Sequence, residues 1–272
     1  MILSELIADF VGKPGILWNN EIARELATNK LKTFVTDYSL TRSILKDDQV
    51  SENSLPLFEG ENQTVLALPS DKLRFFFEDH GLEMLSEIDF PEDALNQIKR
   101  AISYYEEVPA LSVFISQIVR SIQLLKAWDP ETDVSYSHPE VPFSIFISLC
   151  ENNSINSGLR VAESILHETM HLYLTLIEGV VPLVNNDLKS VYYSPWREEE
   201  RPVRGVLHGI FVFKAVSDFY HLLFPKVNDE IAKKYLLRRQ KQISDELLLV
   251  KNFYNSPGLT ELGKQLAFKL TQ

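Results

Sequence analysis

The stretch His167-Glu168-Thr169-Met170-His171 constrains this chain more than any other part of its sequence. Residues four apart on a helix are a little over one turn apart, so both imidazoles leave the same face and can share one ion. Apolar residues recur at helical spacing through 159–177, which predicts a buried helix. At this composition, chance produces the pattern roughly 0.01 times in a chain of this length. We therefore predict that this helix holds a metal ion.

The rest of the sequence favours a mainly α fold. Only 10 glycines occur in 272 residues, which favours helices over a turn-rich all-β fold. The apolar patterns predict helices over 2–12, 19–45, 91–107, 108–128, 159–177, 202–224, 229–254 and 259–270. Short strands are predicted over 64–68, 134–137, 143–149 and 188–193. We expect a mainly α (α+β) fold, with a small antiparallel sheet next to the metal-binding helix.

The chain is expected to form one continuous domain, 1–272, because no Gly/Ser-rich or Pro-rich hinge interrupts it. Within it we distinguish a helical N-terminal half at 1–130, a metal-site core at 131–225 and C-terminal covering helices at 226–272. The core is set apart by the strand-like runs that begin near residue 133 and lead into the H-E-x-x-H helix.

Charge and composition exclude several classes of function. A net charge of −11 argues against binding to a nucleic-acid backbone, since there is no basic excess to displace counterions. We find neither a secretory signal pattern at the N-terminus nor an uninterrupted apolar stretch of membrane-spanning length, so we expect no membrane association. The single cysteine, Cys150, cannot form an internal disulfide and fits a reducing, cytoplasmic location. We expect it to be an inert core thiol.

A functional metal site needs more than two imidazoles, because catalytic zinc and non-haem iron usually have three protein ligands. Glu178 lies seven residues after His171, about 10 Å along the helix axis, which is too far to share the ion. Other downstream candidates are the run Glu198-Glu199-Glu200, which we interpret as a solvated patch in a polar loop or as a helix N-terminal cluster, and also His208, Asp218 and His221.

His208 is the candidate we favour, because an unpartnered imidazole would be costly in its apolar helix. Gly205 and Gly209 would let that helix approach the metal helix closely. His221 is thirteen residues later and on a different face, so both cannot be ligands. We predict the ligand set His167, His171 and His208. The alternative, in which His208 is a hydrogen-bonded core histidine, stays open.

Two further histidines have weaker claims. His80 precedes Gly81 at a helix C-terminus, where an imidazole interacts favourably with the helix dipole, so we expect a structural role. His138 lies in the turn between the two predicted strands. A lone histidine in a turn is more often solvated than a ligand, although this one could line the cleft.

Three ligands alone do not decide the chemistry. In a zinc peptidase, one position on the metal stays open for water and Glu168 is the general base. In an iron oxygenase, the open positions take a 2-oxo acid and dioxygen, and a cation must hold the distal carboxylate of 2-oxoglutarate. Arg204 is one helical turn before His208 and would serve, unless it pairs with Glu200. Arg197 and Arg201 are the alternatives.

The quoted residues also carry a resemblance to a known family. The segments 162–171, Tyr193-Ser194-Pro195-Trp196-Arg197 and 201–209 resemble the H-E-x-x-H peptide-modification family, whose members are described as iron(II)- and 2-oxoglutarate-dependent peptide β-hydroxylases. The resemblance covers roughly 135–225. In this chain the acidic run 198–200 separates the Ser-Pro-Trp-Arg part from the Arg-Pro part.

The resemblance implies metal ligation by His167, His171 and His208, and hydroxylation of a β-carbon in a ribosomally made precursor peptide. Glu168 would then orient a ligand or the substrate rather than act as a base. Two alternatives remain at this point. They are a zinc metallopeptidase with Glu168 as general base, and a non-catalytic peptide-binding module.

Overall fold

The fold is taken from a computed structural model of the chain, which describes residues 2–37, 55–57, 64–67, 73–83, 85, 93–127, 133–151, 154–185 and 187–272. Two compact units make up the chain. The C-terminal unit comprises Met1–Leu26 and Tyr173–Gln272, and the sheet unit comprises Ala27–Leu172. The division predicted from sequence, 1–130, 131–225 and 226–272 within one domain, stays a prediction.

The described residues are mainly helical, which confirms the predicted fold class. The helices are α1 (Leu3–Gly12), α2 (Asn20–Asp37), α3 (Arg74–Asp79), α4 (Ala94–Glu106), α5 (Pro109–Ile118), α6 (Ile155–Glu178), α7 (Val203–Leu223), α8 (Glu230–Leu249) and α9 (Glu261–Thr271). The strands are β1 (Leu55–Pro56), β2 (Val65–Ala67), β3 (Ser121–Leu125), β4 (Ser135–Tyr136), β5 (Ser144–Ser148), β6 (Val191–Ser194) and β7 (Glu199–Pro202). Residues 38–45 and 91–92 of the predicted helices lie outside the described part.

The sheet unit is built on a five-stranded sheet with the order β1-β2-β3-β5-β4. Its three inner strands are parallel, and the outer strands β1 and β4 each pair antiparallel with their neighbours. The antiparallel pair β4–β5 is the hairpin predicted from 134–149. It immediately precedes α6, which carries the H-E-x-x-H motif, and the hydroxyls of Ser135 and Ser137 bind Glu168 of that helix. The predicted position of an antiparallel strand pair beside the H-E-x-x-H helix is confirmed, and the sheet to which the pair belongs is mixed.

The prediction of one long helix over 108–128 is wrong. Helix α5 ends at Ile118, and Ser121–Leu125 instead form β3, the central strand of the sheet. Every residue of β3 is buried. The strand follows the apolar helix α5 with no glycine or proline between them, and periodicity alone does not distinguish a short buried strand from a buried helix.

Two buried contacts and one exposed ion pair hold α6 and the segment before it in the sheet unit. The Tyr105 hydroxyl of α4 donates to the backbone oxygen of Ala162 in α6. Gln97, also of α4, makes two hydrogen bonds to the backbone of Cys150, at 2.7 and 3.1 Å. The guanidinium of Arg160 binds both oxygens of Asp133, each at 2.8 Å. Helix α6 is therefore fixed along its N-terminal half.

In the C-terminal unit, α7 is the buried central helix, and it contacts α8, α9 and the β6–β7 hairpin. The predicted strand at 188–193 is confirmed over its second half, which lies in β6. The prediction of a polar loop for the glutamate run is wrong for Glu199 and Glu200, which pair in β7, while Glu198 adopts a positive φ of 54° at the turn. The charged side chains of β7 are exposed, so the strand has the polar sequence that is typical of a loop.

Helix α7 and the short turn after it, Val203–Lys226, are long and apolar enough to cross a membrane by length and composition, and this is the one such helix in the described residues. Within its apolar window, 61% is buried inside the protein. A buried core helix passes the same test, so this feature is weak support for a membrane span.

Candidate metal site

The two motif histidines converge as their spacing predicts. On α6, Nε2 of His167 lies 3.1 Å from Nε2 of His171. Two imidazole nitrogens bound to one ion at about 2.0–2.1 Å, with an angle between tetrahedral and right-angled, lie about 2.9–3.4 Å apart. The two rings are partly exposed, so an ion can reach them. The pair therefore fits two adjacent positions on one metal ion.

Glu168 lies between these histidines in sequence but faces the sheet. Its side chain is only 5% exposed, and its two carboxylate oxygens accept hydrogen bonds from the hydroxyls of Ser135 and Ser137, each at 2.6 Å. Bonds this short to a carboxylate are charge-assisted and stronger than those between neutral groups. Oε1 of Glu168 is also 4.0 Å from Nε2 of His167. The carboxylate is thus anchored to the hairpin and lies close to the imidazole pair.

Strand β4 presents its two faces and its edge to different surroundings. Val134 and Tyr136 occupy the hydrogen-bonded positions opposite β5, because Ser148 N donates to Val134 O and Tyr136 pairs with Phe146. In an antiparallel ladder, the residue between them directs its backbone N–H and C=O away from the partner strand. The backbone of Ser135 therefore faces the outer edge, and no described strand pairs there.

The opposite face of β4 packs into an aromatic cluster. The ring centroid of Tyr136 is 6.2 Å from that of Phe76, and those of His80 and His138 are 4.7 Å apart. His80 ends α3 with its Nδ1 2.8 Å from the backbone oxygen of Phe76, which fits the structural role predicted for it. Burial, and secondly His80, lower the pKa of His138. This side of the hairpin holds β4 in place behind the serines.

His208 has a carboxylate partner in the C-terminal unit. Its side chain is 9% exposed, and its Nε2 lies 3.1 Å from Oε2 of Glu178. The same oxygen accepts hydrogen bonds from Arg204, at 2.9 Å from Nε and 2.7 Å from Nη2. Burial alone would raise the pKa of Glu178, but His208 and Arg204 together outweigh it, so this pKa lies below its ordinary value.

The three candidate arginines differ in their surroundings. Arg204 is half-exposed and pairs with Glu178, so the ion pair considered from sequence, with Glu200, does not form. Arg201 pairs with Glu199 on the exposed face of the hairpin, at 3.0 Å. Arg197 is exposed in the β6–β7 turn. Arg204 is thus the candidate that binds a largely buried carboxylate through two N–H groups.

Other predicted features of this region are placed as follows. Gly209 accommodates an aromatic ring, since a Cβ there would lie 2.8 Å from atoms of Trp196, which stacks on Phe213. Asp218 binds Lys214 at 2.6 Å, and His221 is exposed. Cys150 is buried, and burial raises the pKa of its thiol, which fits an inert core residue.

The predicted ligand set is only partly assembled in the structure. Among the residues described, no group of three or more His, Cys, Asp or Glu side chains is spaced to hold a metal ion. The pair formed by His167 and His171 is therefore the part of the set that the geometry supports, and ligation by His208 stays a prediction.

Sequence reasoning missed the partners of two central residues. It did not identify Ser135 and Ser137 as the groups that hold Glu168, although the alternation of apolar and hydroxyl residues in this strand places both on one face. It also rejected Glu178 as a metal ligand without foreseeing that this carboxylate would bind Arg204 and His208.

Comparison of the chain with known protein families and with curated proteins returns no match in either case.

Proposed function

We propose that this protein is an iron(II)- and 2-oxoglutarate-dependent oxygenase that hydroxylates a β-carbon of a side chain in a ribosomally made peptide. The observation that carries the proposal is the 3.1 Å separation of the His167 and His171 Nε2 atoms, which suits two ligands of one ion. His208 is proposed as the third ligand. Iron(II) bound there would supply hydroxylation of a C–H bond by dioxygen, coupled to decarboxylation of 2-oxoglutarate to succinate and carbon dioxide.

The surroundings of Glu168 support an oxygenase over a peptidase. A general base must reach metal-bound water, whereas hydrogen bonds from the hydroxyls of Ser135 and Ser137 hold both oxygens of this carboxylate against the β4–β5 hairpin. An anchored carboxylate of this kind suits a positioning role, in which it fixes the helix turn that carries His167 relative to β4.

Arg204 supports the use of a dicarboxylic co-substrate. A guanidinium binds carboxylates through two N–H groups, and Arg204 directs Nε and Nη2 at the Glu178 carboxylate. We propose that Arg204 holds the distal carboxylate of 2-oxoglutarate, with Arg197 and Arg201 as the alternatives.

The outer edge of β4 supports a peptide as the substrate. The backbone N–H and C=O of Ser135 face this edge, and the Ser135 side chain binds the glutamate between the two motif histidines. An extended peptide that adds to such an edge gains main-chain hydrogen bonds without any requirement on its side chains. A peptide bound in this way would pass beside the proposed metal site. We further propose that the protein acts in the cytoplasm, since its substrate would be a newly made peptide.

A zinc metallopeptidase is the second candidate, because Oε1 of Glu168 lies only 4.0 Å from Nε2 of His167. That proximity is what a general base for metal-bound water requires. The two candidates make opposite predictions for Glu168→Gln. This substitution would abolish peptide cleavage, while an oxygenase would retain its co-substrate binding.

The test is anaerobic titration of the protein with iron(II) and 2-oxoglutarate. We expect a visible charge-transfer band that His167→Ala and His171→Ala abolish and that Arg204→Ala shifts to higher 2-oxoglutarate concentration. Arg238→Ala, a cation stacked on Tyr235 in α8, is the matched control and should leave the titration unchanged. Absence of the band, together with tight zinc binding and peptide cleavage that depends on Glu168, would establish the peptidase instead. If the protein shows neither oxygenase nor peptidase activity, the non-catalytic peptide-binding module is the remaining alternative.

A further inference from the structure

The C-terminal unit contains a cavity of about 1020 Å³ that involves none of the predicted metal or co-substrate residues. It lies between the end of α1, the C-terminal half of α7 and helix α9. Small-molecule sites commonly occupy about 300–1,000 Å³. The volume of the cavity therefore matches that of the larger small-molecule sites in proteins.

Several of the apolar side chains that line the cavity remain accessible to solvent. Phe268 is 50% exposed and Ile16 is 45% exposed, although both are large apolar side chains. Tyr254 packs edge-to-face on Phe268 with ring centroids 5.3 Å apart, and Leu222 adds an aliphatic surface. Grouped apolar side chains that stay partly exposed in a concave surface indicate a binding site more than packing.

Four lysines also line the cavity, and three of them pair with carboxylates: Lys13 with Asp9, Lys214 with Asp218 and Lys264 with Glu261. The fourth is Lys269. A positive charge that no neighbouring carboxylate balances favours an anionic ligand.

Of the four lysines, Lys269 has the least negative charge next to its ammonium group. Its Nζ donates to the backbone oxygen of Phe10 at 2.8 Å and lies 3.9 Å from the centre of the Phe10 ring. Among the described residues, no carboxylate is in ion-pair contact with it. Burial lowers the pKa of Lys269 to about 8, and the more distant Asp218 opposes this only in part. A bound anion would supply the charge that this ammonium group lacks.

We propose that this cavity binds an amphipathic carboxylate, whose apolar chain lies against Phe268, Tyr254 and Leu222 and whose carboxylate pairs with Lys269. The inference is independent of the proposed oxygenase activity, since it involves other residues. We choose a small acyl carboxylate because partly exposed apolar side chains and the ammonium group of Lys269 line the same cavity.

The test is displacement of the anionic fluorophore 1-anilinonaphthalene-8-sulfonate from the full chain by dodecanoate below its micellar concentration. We expect saturable displacement with one site per chain. Acetate, which lacks the apolar chain, and dodecyltrimethylammonium, which carries the opposite charge, should not displace the fluorophore.

Two variants at the surface of the cavity locate the site. Lys269→Met keeps the packing on Phe10 but removes the ammonium group, and it should weaken dodecanoate binding at least about tenfold, since a charge-assisted contact is lost. Phe268→Ser removes an exposed ring and should weaken binding because the apolar chain of the ligand loses a contact. The control is Lys241→Met, an exposed lysine of α8 whose side chain is 76% exposed. Thermal unfolding of each variant verifies that it is folded.

The pH dependence gives a second, separate readout. Dodecanoate should bind the unmodified chain more weakly as the pH rises from 7 to 10, because Lys269 loses its proton near pH 8. Lys269→Met should largely remove this dependence. The other titratable groups that line the cavity are Lys13 after α1, Lys214, Asp218 and His221 of α7, Tyr254, and Glu261 and Lys264 of α9.

Three results would overturn the proposal. The first is an absence of saturable displacement by dodecanoate. The second is equal displacement by the cationic amphiphile, which would remove the role of charge. The third is binding that neither Lys269→Met nor Phe268→Ser changes, which would indicate adsorption elsewhere on the surface.

Discussion

The anchoring of Glu168 by two serines leads to a quantitative prediction about stability. Removing either hydroxyl, by Ser135→Ala or Ser137→Ala, deletes one of the two 2.6 Å hydrogen bonds to this buried carboxylate. A hydrogen bond to a charged group contributes about 1.5–3 kcal/mol to the free energy of unfolding. We therefore expect each variant to lose about 2 kcal/mol, and the double variant to deviate from additivity because both serines bind one carboxylate.

The loss is measured by urea unfolding and by the midpoint of thermal unfolding. For a chain of this size, about 2 kcal/mol corresponds to a fall in Tm of about 4–8 °C. Ser103→Ala is the matched control, because the hydroxyl of Ser103 is exposed and binds only Arg100 O within its own helix. That variant should stay within about 0.5 kcal/mol of the unmodified chain.

A second readout connects the anchor to the metal. Iron(II) affinity, measured under anaerobic conditions, should also fall in the double variant, because losing a group that orients a ligand commonly weakens metal binding about 10–100-fold. The reasoning would be refuted if Ser135→Ala and Ser137→Ala both behaved like Ser103→Ala in unfolding. Glu168 would then not depend on the hairpin for its position.

Three further predictions follow from single contacts. Gln97→Leu removes the partner of both backbone groups of Cys150 and should cost about 2–4 kcal/mol in urea unfolding; a loss below about 1 kcal/mol would contradict the buried contact. Asp229→Ala removes the acceptor for two N–H groups at the start of α8 and should cost about 1 kcal/mol, most of which Asp229→Asn should restore. Burial and His80 lower the pKa of His138, so its imidazole binds a proton less readily in the folded chain than in the unfolded chain. Stability should therefore fall as the pH drops below about 6.5, and His138→Gln should flatten that decline relative to the unmodified chain in unfolding at pH 5 and pH 8.

The H-E-x-x-H helix and the hairpin before it were predictable because their signals are local. Two histidines at spacing i and i+4 meet on any regular helix, so the approach of His167 to His171 follows from the sequence alone. The strands over 134–137 and 143–149 were predictable from alternation, which also places Ser135 and Ser137 on one face.

The centre of the sheet was not predictable in the same way. Strand β3 pairs with β2 and β5, and these partners are far from it in sequence. Its residues, Ser121–Leu125, follow a buried helix with only Val119 and Arg120 between them, and no glycine or proline marks the change. Tertiary pairing therefore decides the conformation of this segment, and local propensity does not.

The partners of the site residues depend on contacts of the same long-range kind. Ser135 and Glu168 are 33 residues apart, and Arg204 and Glu178 are 26 apart. Spacing rules describe neighbours on one helix, so they suggested Glu200 for Arg204 and no partner for Glu168. The register of β4 determines that Ser135 meets the carboxylate of Glu168. The packing of α7 within its unit determines that Arg204 meets the carboxylate of Glu178.

The contact between Glu178 and Arg204 separates two roles for this carboxylate. If Arg204 holds 2-oxoglutarate as proposed, Glu178 occupies the guanidinium that the co-substrate needs, because Nε and Nη2 both bind its Oε2. Glu178→Gln keeps the shape but removes the competing charge, so the concentration of 2-oxoglutarate that gives half the charge-transfer band should fall. Arg201→Ala, which leaves Glu178 and Arg204 intact, should not change it. If Glu178→Gln instead raises that concentration, the carboxylate orients Arg204 for the co-substrate, and competition is excluded.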